Sequence, residues 1–284
     1  MAVLRDANVA LLGVAVAVDT VALVLMTFRW RLLLHSLGSS ASLWDALLAY
    51  SAGVCVSNIT PARTIGGDAT RAALIRRPRG VPPVKAIAAS VVIDRMTDLP
   101  GIVMLGLLAA PTLKPTWPRW TILSVCTLVL AAAAPFLYRR LRKRISQWHP
   151  ALIGHAIGAS VVAAVGCSFV IWSLDIVRLL LVGRAFGVTF HPGQAAAMSL
   201  LRLGSGLAPV PAGIGVVDGA LVGGFIWLGL PASTAAALAI VERAIVSGWA
   251  TALGAVALTL RGGSAALRKA WSRGASEARP DQES

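Results

Sequence analysis

NITPARTIGGDATRAALIRR, from Asn58 to Arg77, follows directly on an apolar stretch long enough to enter a membrane. A plain spanning helix has no use for Pro61, the pair Gly66 and Gly67, the arginines or Asp68. Backbone that leaves the helix at membrane depth is stable only where protein or water covers its polar groups. The segment therefore predicts a broken helix beside a polar pathway.

The rest of the chain sets the same frame. Of 284 residues, 57% are hydrophobic and only 13% are charged, too little polar material to coat a soluble domain of this size. Apolar runs of about 20 residues, enough to cross roughly 30 Å of hydrocarbon, recur along it. They lie at about 8–28, 84–110, 119–138, 153–183 and 235–260. Two further apolar regions, 43–78 and 191–230, are interrupted by Pro and Gly and read as hairpins with broken tips. The runs are continuous rather than alternating, which disfavours a membrane β-barrel. The expected fold is an all-α polytopic bundle over 1–262, followed by a basic, disordered cytoplasmic tail over 263–284.

The net charge of +14 does not point to nucleic acid. Its arginines and lysines cluster between apolar segments, as the positive-inside rule requires, where they meet anionic headgroups. Arg29, Arg31, Arg76, Arg77, Arg79, Lys85, the run Arg139 to Arg144 and the tail from Arg261 fall on one face. The other face receives Arg5, Lys114, Arg119 and Arg184. That asymmetry places the N-terminus outside, the C-terminus in the cytoplasm and the protein in the plasma membrane. The run Val9 to Phe28 reads as a first span rather than a cleaved signal, since it is long and ends in FRWRLLL.

Other motifs are weaker. Cys55, Cys126 and Cys167 lie in apolar segments, and the four histidines share no ligand spacing, so no metal and no cofactor are expected. GIGVVDG, Gly213 to Gly219, lacks the strand of a dinucleotide fold. Asn58-Ile59-Thr60 matches a glycosylation sequon but lies at membrane depth before Pro61. There is no Walker A pattern, so an ATPase within the sequence shown does not drive transport.

The second interrupted region, LAPVPAGIGVVDGA (Leu207 to Ala220), repeats the order of the first. Pro61, Gly66 and Asp68 answer to Pro211, Gly215 and Asp218, with Gly67 and Gly213 completing the helix breaks. About 25 residues on, each copy reaches an acid–arginine pair in an apolar span, Asp94-Arg95 and Glu242-Arg243. With one hairpin opening from each face, the halves are expected to be inverted repeats, as in secondary transporters.

Arg63, Arg71, Arg95, Arg178, Arg202 and Arg243 lie in or beside apolar segments. Each permanent charge costs on the order of 3 kcal/mol at mid-membrane on the mild insertion scale, so each faces a cavity or a partner. A guanidinium fork matches phosphate. Arg63, Arg71, Arg95 and Arg243 are the expected substrate-binding set. Asp68, Asp94, Asp98, Asp218 and Glu242 are the expected coupling or ion-pair set. Asp175 and Arg178, three apart, are expected to neutralise each other locally. Asp19 stands alone in the first span with no evident partner.

In the order FRWRLLLHSLG, NITPARTIGGDATRAALIRR, VVIDRMTDL, PVPAGIGVVDGAL, IVERAIV, the chain resembles the transmembrane region of lysylphosphatidylglycerol synthase and its stand-alone flippase-like relatives. The resemblance implies movement of a lipid or lipid-linked product between leaflets. It maps the family's Pro/Arg/Gly-Gly motif onto Pro61, Arg63, Gly66 and Gly67, with its next Arg on Arg71. The acid–Arg pairs fall on Asp94/Arg95 and Glu242/Arg243, and the second glycine motif on Pro211, Gly213 and Gly215. The chain departs in reading GGDAT and PAGIG, and it looks one N-terminal span short. The soluble aminoacyl-transferase domain of the synthase is not seen, so the expectation is a non-enzyme whose partners are anionic or phosphate-bearing membrane lipids. The alternatives are a membrane partner presenting lipid to a separate soluble transferase, or a membrane-embedded lipid transferase.

Overall fold

A computed structural model describes residues 7–60, 63–75, 84–112, 155–206, 210 and 213–261. Within them the chain is helical without strands: α1 (Val9–Ser36), α2 (Leu43–Ile59), α3 (Arg63–Leu74), α4 (Val84–Thr97), α5 (Leu99–Ala109), α6 (His155–Ala185), α7 (Pro192–Ser205), α8 (Val216–Trp227), α9 (Ala232–Arg243) and α10 (Ala250–Leu260). A π-helical turn, Ala244–Trp249, joins α9 to α10 into one span. The chain is thus an all-α integral membrane protein. Val9–Ser36, Gly158–Ala185 and Ala232–Leu260 are each long and apolar enough to cross a bilayer. The expected span at 119–138, with Cys126 and the basic run after it, lies outside the described residues, as does the tail beyond Arg261.

Sequence explains the element ends. Asn8 caps α1 by accepting from Leu11 N–H at 3.2 Å, and Ser42 caps α2 by accepting from Asp45 N–H at 3.0 Å. The region read as one span at 84–110 is divided at Asp98. Pro100, in the first turn of α5, has no N–H with which to continue the ladder.

The long helices α1 and α6 run antiparallel. Asn8 N–H, at the start of α1, donates to Ala185 O, at the end of α6, at 2.8 Å. α2 and α10 are antiparallel too: Arg261 Nη2 meets Asp45 Oδ1 at 2.7 Å, and Asn58 Nδ2 donates to Thr251 Oγ1 at 2.9 Å. At the other end of the molecule the start of α7 abuts the end of α5, Gly193 against Leu108 O. Small residues permit these approaches. A Cβ on Gly254 would stand 2.2 Å from Ser51 O, and one on Gly193 would stand 2.6 Å from Leu108 O.

Two larger apolar cores and a small cluster of Leu33, Ile93 and Ala164 hold the described part of the bundle. Trp30, Leu34, Tyr50, Ile87 and Val91 knit α1, α2 and α4. Leu105, Leu179, Leu221, Phe225 and Leu238 knit α5, α6, α8 and α9. Large apolar side chains such as Val14, Val21, Phe169, Ile240 and Val256 remain exposed along the spans, as lipid-facing positions must.

Both hairpins are broken, though the glycines act differently in each. α2 ends at Ile59 and α3 begins at Arg63. Gly66 and Gly67 therefore lie inside α3 rather than at the break, which falls on the segment containing Pro61, itself outside the described residues. Their work is contact: a Cβ on Gly67 would meet Ser57 Oγ at 1.8 Å and Gly53 O at 2.4 Å. In the second hairpin Gly213 and Gly215 do form the break, with φ of 64° and 82°, in a region L side chains rarely adopt. Pro211 lies outside the described residues.

Candidate functional site

At about 1.5 Å per residue, the 12 residues of α3 or α8 extend about 18 Å, well short of a roughly 30 Å hydrocarbon core. Each hairpin thus has an arm whose helix is too short to cross the core by itself. Asn58, one residue before the end of α2, bonds Ser247 O at 3.3 Å, and Ser247 stands midway along the span Ala232–Leu260. The first hairpin tip therefore reaches the middle of the membrane-crossing span, where the π turn sits. A π turn inside an α-helix is uncommon and is frequent at functional sites.

Beside that tip is a cavity of about 300 Å³. Ser57 of α2, Gly206 after α7, Val217 of α8 and Val246 of the π turn bring both hairpins to its wall. Its charged lining is Arg95, Arg202, Arg243 and Glu242. Met26, Val54, Leu203 and Leu221 supply apolar wall.

Two ionic networks hold this lining. In the first, Asp94 on α4 is fully buried and accepts from Arg29 Nε at 2.9 Å and Arg71 Nη1 at 2.8 Å. Arg29 also pairs with Asp98 and donates to Ser168 Oγ at 2.7 Å. The Arg71 guanidinium lies 5.1 Å from the Trp30 ring centroid and 5.0 Å from that of Tyr50, within cation–π range of both. Asp68 receives Arg95 in a two-pronged contact at 2.8 and 3.1 Å, and approaches Arg71 at 3.0 Å.

In the second, Arg178 on α6 reaches Glu242 at 2.6 Å, Asp175 at 2.8 Å and Asp19 at 3.0 Å. Arg202 on α7 meets Asp175 at 2.6 Å and Glu242 at 3.9 Å. Arg243 pairs with Asp218 at 3.1 Å. The wiring runs in parallel with the first network. In each, an arginine of a long helix binds the acid of the acid–Arg pair, and that pair's own arginine binds the aspartate of a hairpin arm.

Of the arginines expected to bind substrate, Arg95 and Arg243 line the cavity. Arg71 does not: it is 2% exposed and committed to Asp94, Asp68 and two aromatic faces. Arg63 opens α3, and nothing further is described of its side chain. Arg202 was missed as a site residue, although an arginine in an apolar segment was signal enough. The local pairing of Asp175 with Arg178 is present, but Arg178 is also the hub that gives Asp19 its partner. Among the acids, Glu242 reaches the cavity wall, Asp94 is buried behind it, and Asp68, Asp98 and Asp218 each hold an arginine.

The family model described as "Lysylphosphatidylglycerol synthase TM region" matches residues 1–254. The chain belongs to that family. It is similar to a UPF0104 membrane protein of Methanothermobacter thermautotrophicus, 25% identical over 92% of this chain and 88% of the relative. A second protein of that name and organism is 27% identical over 79% of this chain and 76% of its own length. A UPF0104 membrane protein of Methanocaldococcus jannaschii is 24% identical over 84% of this chain and 80% of the relative. No solved structure matches.

Proposed function

We propose that this family member binds the anionic, phosphate-bearing headgroup of a membrane lipid in the cavity between its hairpins and carries it between leaflets of the plasma membrane. The observation that carries the reading is the convergence of Arg95, Arg202 and Arg243 on one cavity at mid-span. A guanidinium is a permanent cation with no lone pair to attack with and no proton to lend, so this lining suits anion binding better than catalysis. Each arginine is already oriented by a carboxylate, which limits the ordering cost of holding a phosphate. The acyl chains stay against the exposed apolar faces of the spans.

Translocation also needs a protein that can open to either side. The antiparallel pairing of α1 with α6, the α2–α10 and α5–α7 contacts and the parallel ionic wiring support an inverted repeat around the cavity. Rocking one half against the other would then expose the headgroup to each face in turn.

The test is lipid mass spectrometry on protein purified in mild detergent, comparing wild type with Arg95→Ala/Arg243→Ala. The expected result is one phosphate-bearing class enriched over the membrane average and lost in the double variant. A profile equal to the bulk membrane in both proteins overturns the headgroup site.

A further inference from the structure

The two networks differ in charge. Arg29, Arg71 and Arg95 face Asp68, Asp94 and Asp98, three against three. Around Arg178 the balance among the described residues fails: Arg178 and Arg202 face Asp19, Asp175 and Glu242, leaving one negative charge in excess. The cavity arginines nearby have carboxylates of their own, Arg243 pairing with Asp218 and Arg95 with Asp68. Ser199 of α7, Thr20 of α1 and Trp249 of the π turn, which make polar contacts between these elements, are neutral, and Arg29 of α1 is held by Asp94 and Asp98 of the first network.

Asp19 is the source of the excess. Ser168 of α6 contacts Arg29, and Asp19 of α1 contacts Arg178. Each stands ten residues before the arginine of its own helix, so the two are counterparts across the antiparallel pair. One half places a neutral hydroxyl there and the other a carboxyl. A second observation marks the same place: Oε2 of Glu242 is buried and accepts from no donor, while Oε1 takes Arg178, whose own Nε is buried without an acceptor. The Glu242 side chain is 2% exposed, so the unsatisfied oxygen has no water to turn to. An excess negative charge that shares Arg178 with an acid whose second oxygen is unsatisfied is an arrangement that a bound cation relieves.

We propose that this network is a proton-binding site, with one exchangeable proton carried by Asp19 and a link through Arg178 to Glu242 at the cavity wall. A metal cation would need several oxygen ligands and room for itself, whereas the unpartnered Glu242 oxygen has no accessible surface; a proton needs neither. Asp175 is not the carrier, since Ser199 Oγ and both arginines already donate to it. Asp19 has the single bond to Arg178 and is the least enclosed of the three acids, with 13% of its side chain exposed. Protonation turns a carboxylate and a hydrated proton into a neutral carboxyl and water, and it brings the network to two against two. The site stands on charge and geometry alone and does not require that the cavity hold a lipid.

Infrared spectroscopy of the full-length protein in lipid nanodiscs reads the site directly, through the C=O stretch of a protonated carboxyl. In wild type at neutral pH such a band is expected, shifting when the protein is grown with side-chain ¹³C aspartate and not with ¹³C glutamate. It is expected to vanish in Asp19→Asn and in Asp19→Ser, the change that copies Ser168, and to persist in Asp218→Asn. No protonated-carboxyl band in wild type, a band that shifts only with labelled glutamate, or one undiminished in both Asp19 variants overturns the proposal. The labelling arm uses wild-type protein, so it decides the matter even if neither variant folds.

Discussion

Arg29 on α1 donates through Nε to Oδ1 of Asp94 on α4 at 2.9 Å, with both side chains at or below 1% exposure. A charge pair so deep in a membrane protein tolerates the loss of neither partner, because the survivor remains a buried ion.

Asp94→Asn is therefore expected to destabilise the protein by about 3–5 kcal/mol, leaving Arg29 and Arg71 short of a carboxylate. Asp68→Asn is expected to cost less, about 1–3 kcal/mol, since Asp68 is 16% exposed and one of its two arginine partners, Arg95, is 41% exposed while the other, Arg71, is buried. Thermal and denaturant unfolding in detergent micelles, run side by side, checks the order. Equal losses would mean that Asp94 is not the keystone of its network.

The arginines divide into two kinds. Arg71→Ala is expected to lower stability, because it removes a cation from Asp94 and from the faces of Trp30 and Tyr50. Arg95→Ala and Arg243→Ala are expected to keep the fold and to weaken lipid retention by about tenfold or more, the scale of a lost charge-assisted contact. Melting temperature and bound-lipid content, measured on the same preparations, separate the classes. A fully stable Arg71→Ala that releases lipid would return Arg71 to the binding site.

Backbone contact between helices predicts sharp intolerance at particular glycines. Gly67→Ala and Gly254→Ala would drive a Cβ to within 1.8 Å of Ser57 Oγ and 2.2 Å of Ser51 O. Each is expected to cost at least about 1–3 kcal/mol, the range for overpacking. Gly13→Ala and Gly223→Ala, where a Cβ meets nothing within 4 Å, are expected to be silent. Detergent-solubilised yield and unfolding midpoints of the four variants test the contrast.

Orientation is open to a direct check. Arg31 Nε bonds Ala41 O at 3.0 Å, and Arg261 bonds Leu74 O at 3.0 Å and Asp45 Oδ1 at 2.7 Å. The basic end of α1 and the end of α10 thus share the face where the first hairpin opens. The positive-inside rule predicts that this face is the cytoplasmic one. A fluorescent protein that matures only in the cytoplasm is expected to be bright at the C-terminus and dark at the N-terminus, and the reverse pattern would invert the topology.

Much of this was legible along the chain because hydrophobic length and breaking residues are local properties. The hairpins, the helical class and the acid–arginine pairs need no knowledge of what packs where. The glycine pair at 66 and 67 shows the limit: sequence marks the residues as small, while only packing shows that α2 lies against them.

The cavity and its charge balance belong to the tertiary structure. Asp19 and Arg178 are 159 residues apart, and Arg29 and Ser168 are 139 apart. Each residue by itself announces that a polar group in an apolar helix must find a partner, because lipid supplies none. Which partner it finds depends on the antiparallel register of α1 and α6. A one-turn slide of about 5.4 Å would break every one of those bonds without changing the hydropathy of either helix. The amino-acid sequence by itself determined that these charges had to be met inside the membrane, and the folded register decided by whom.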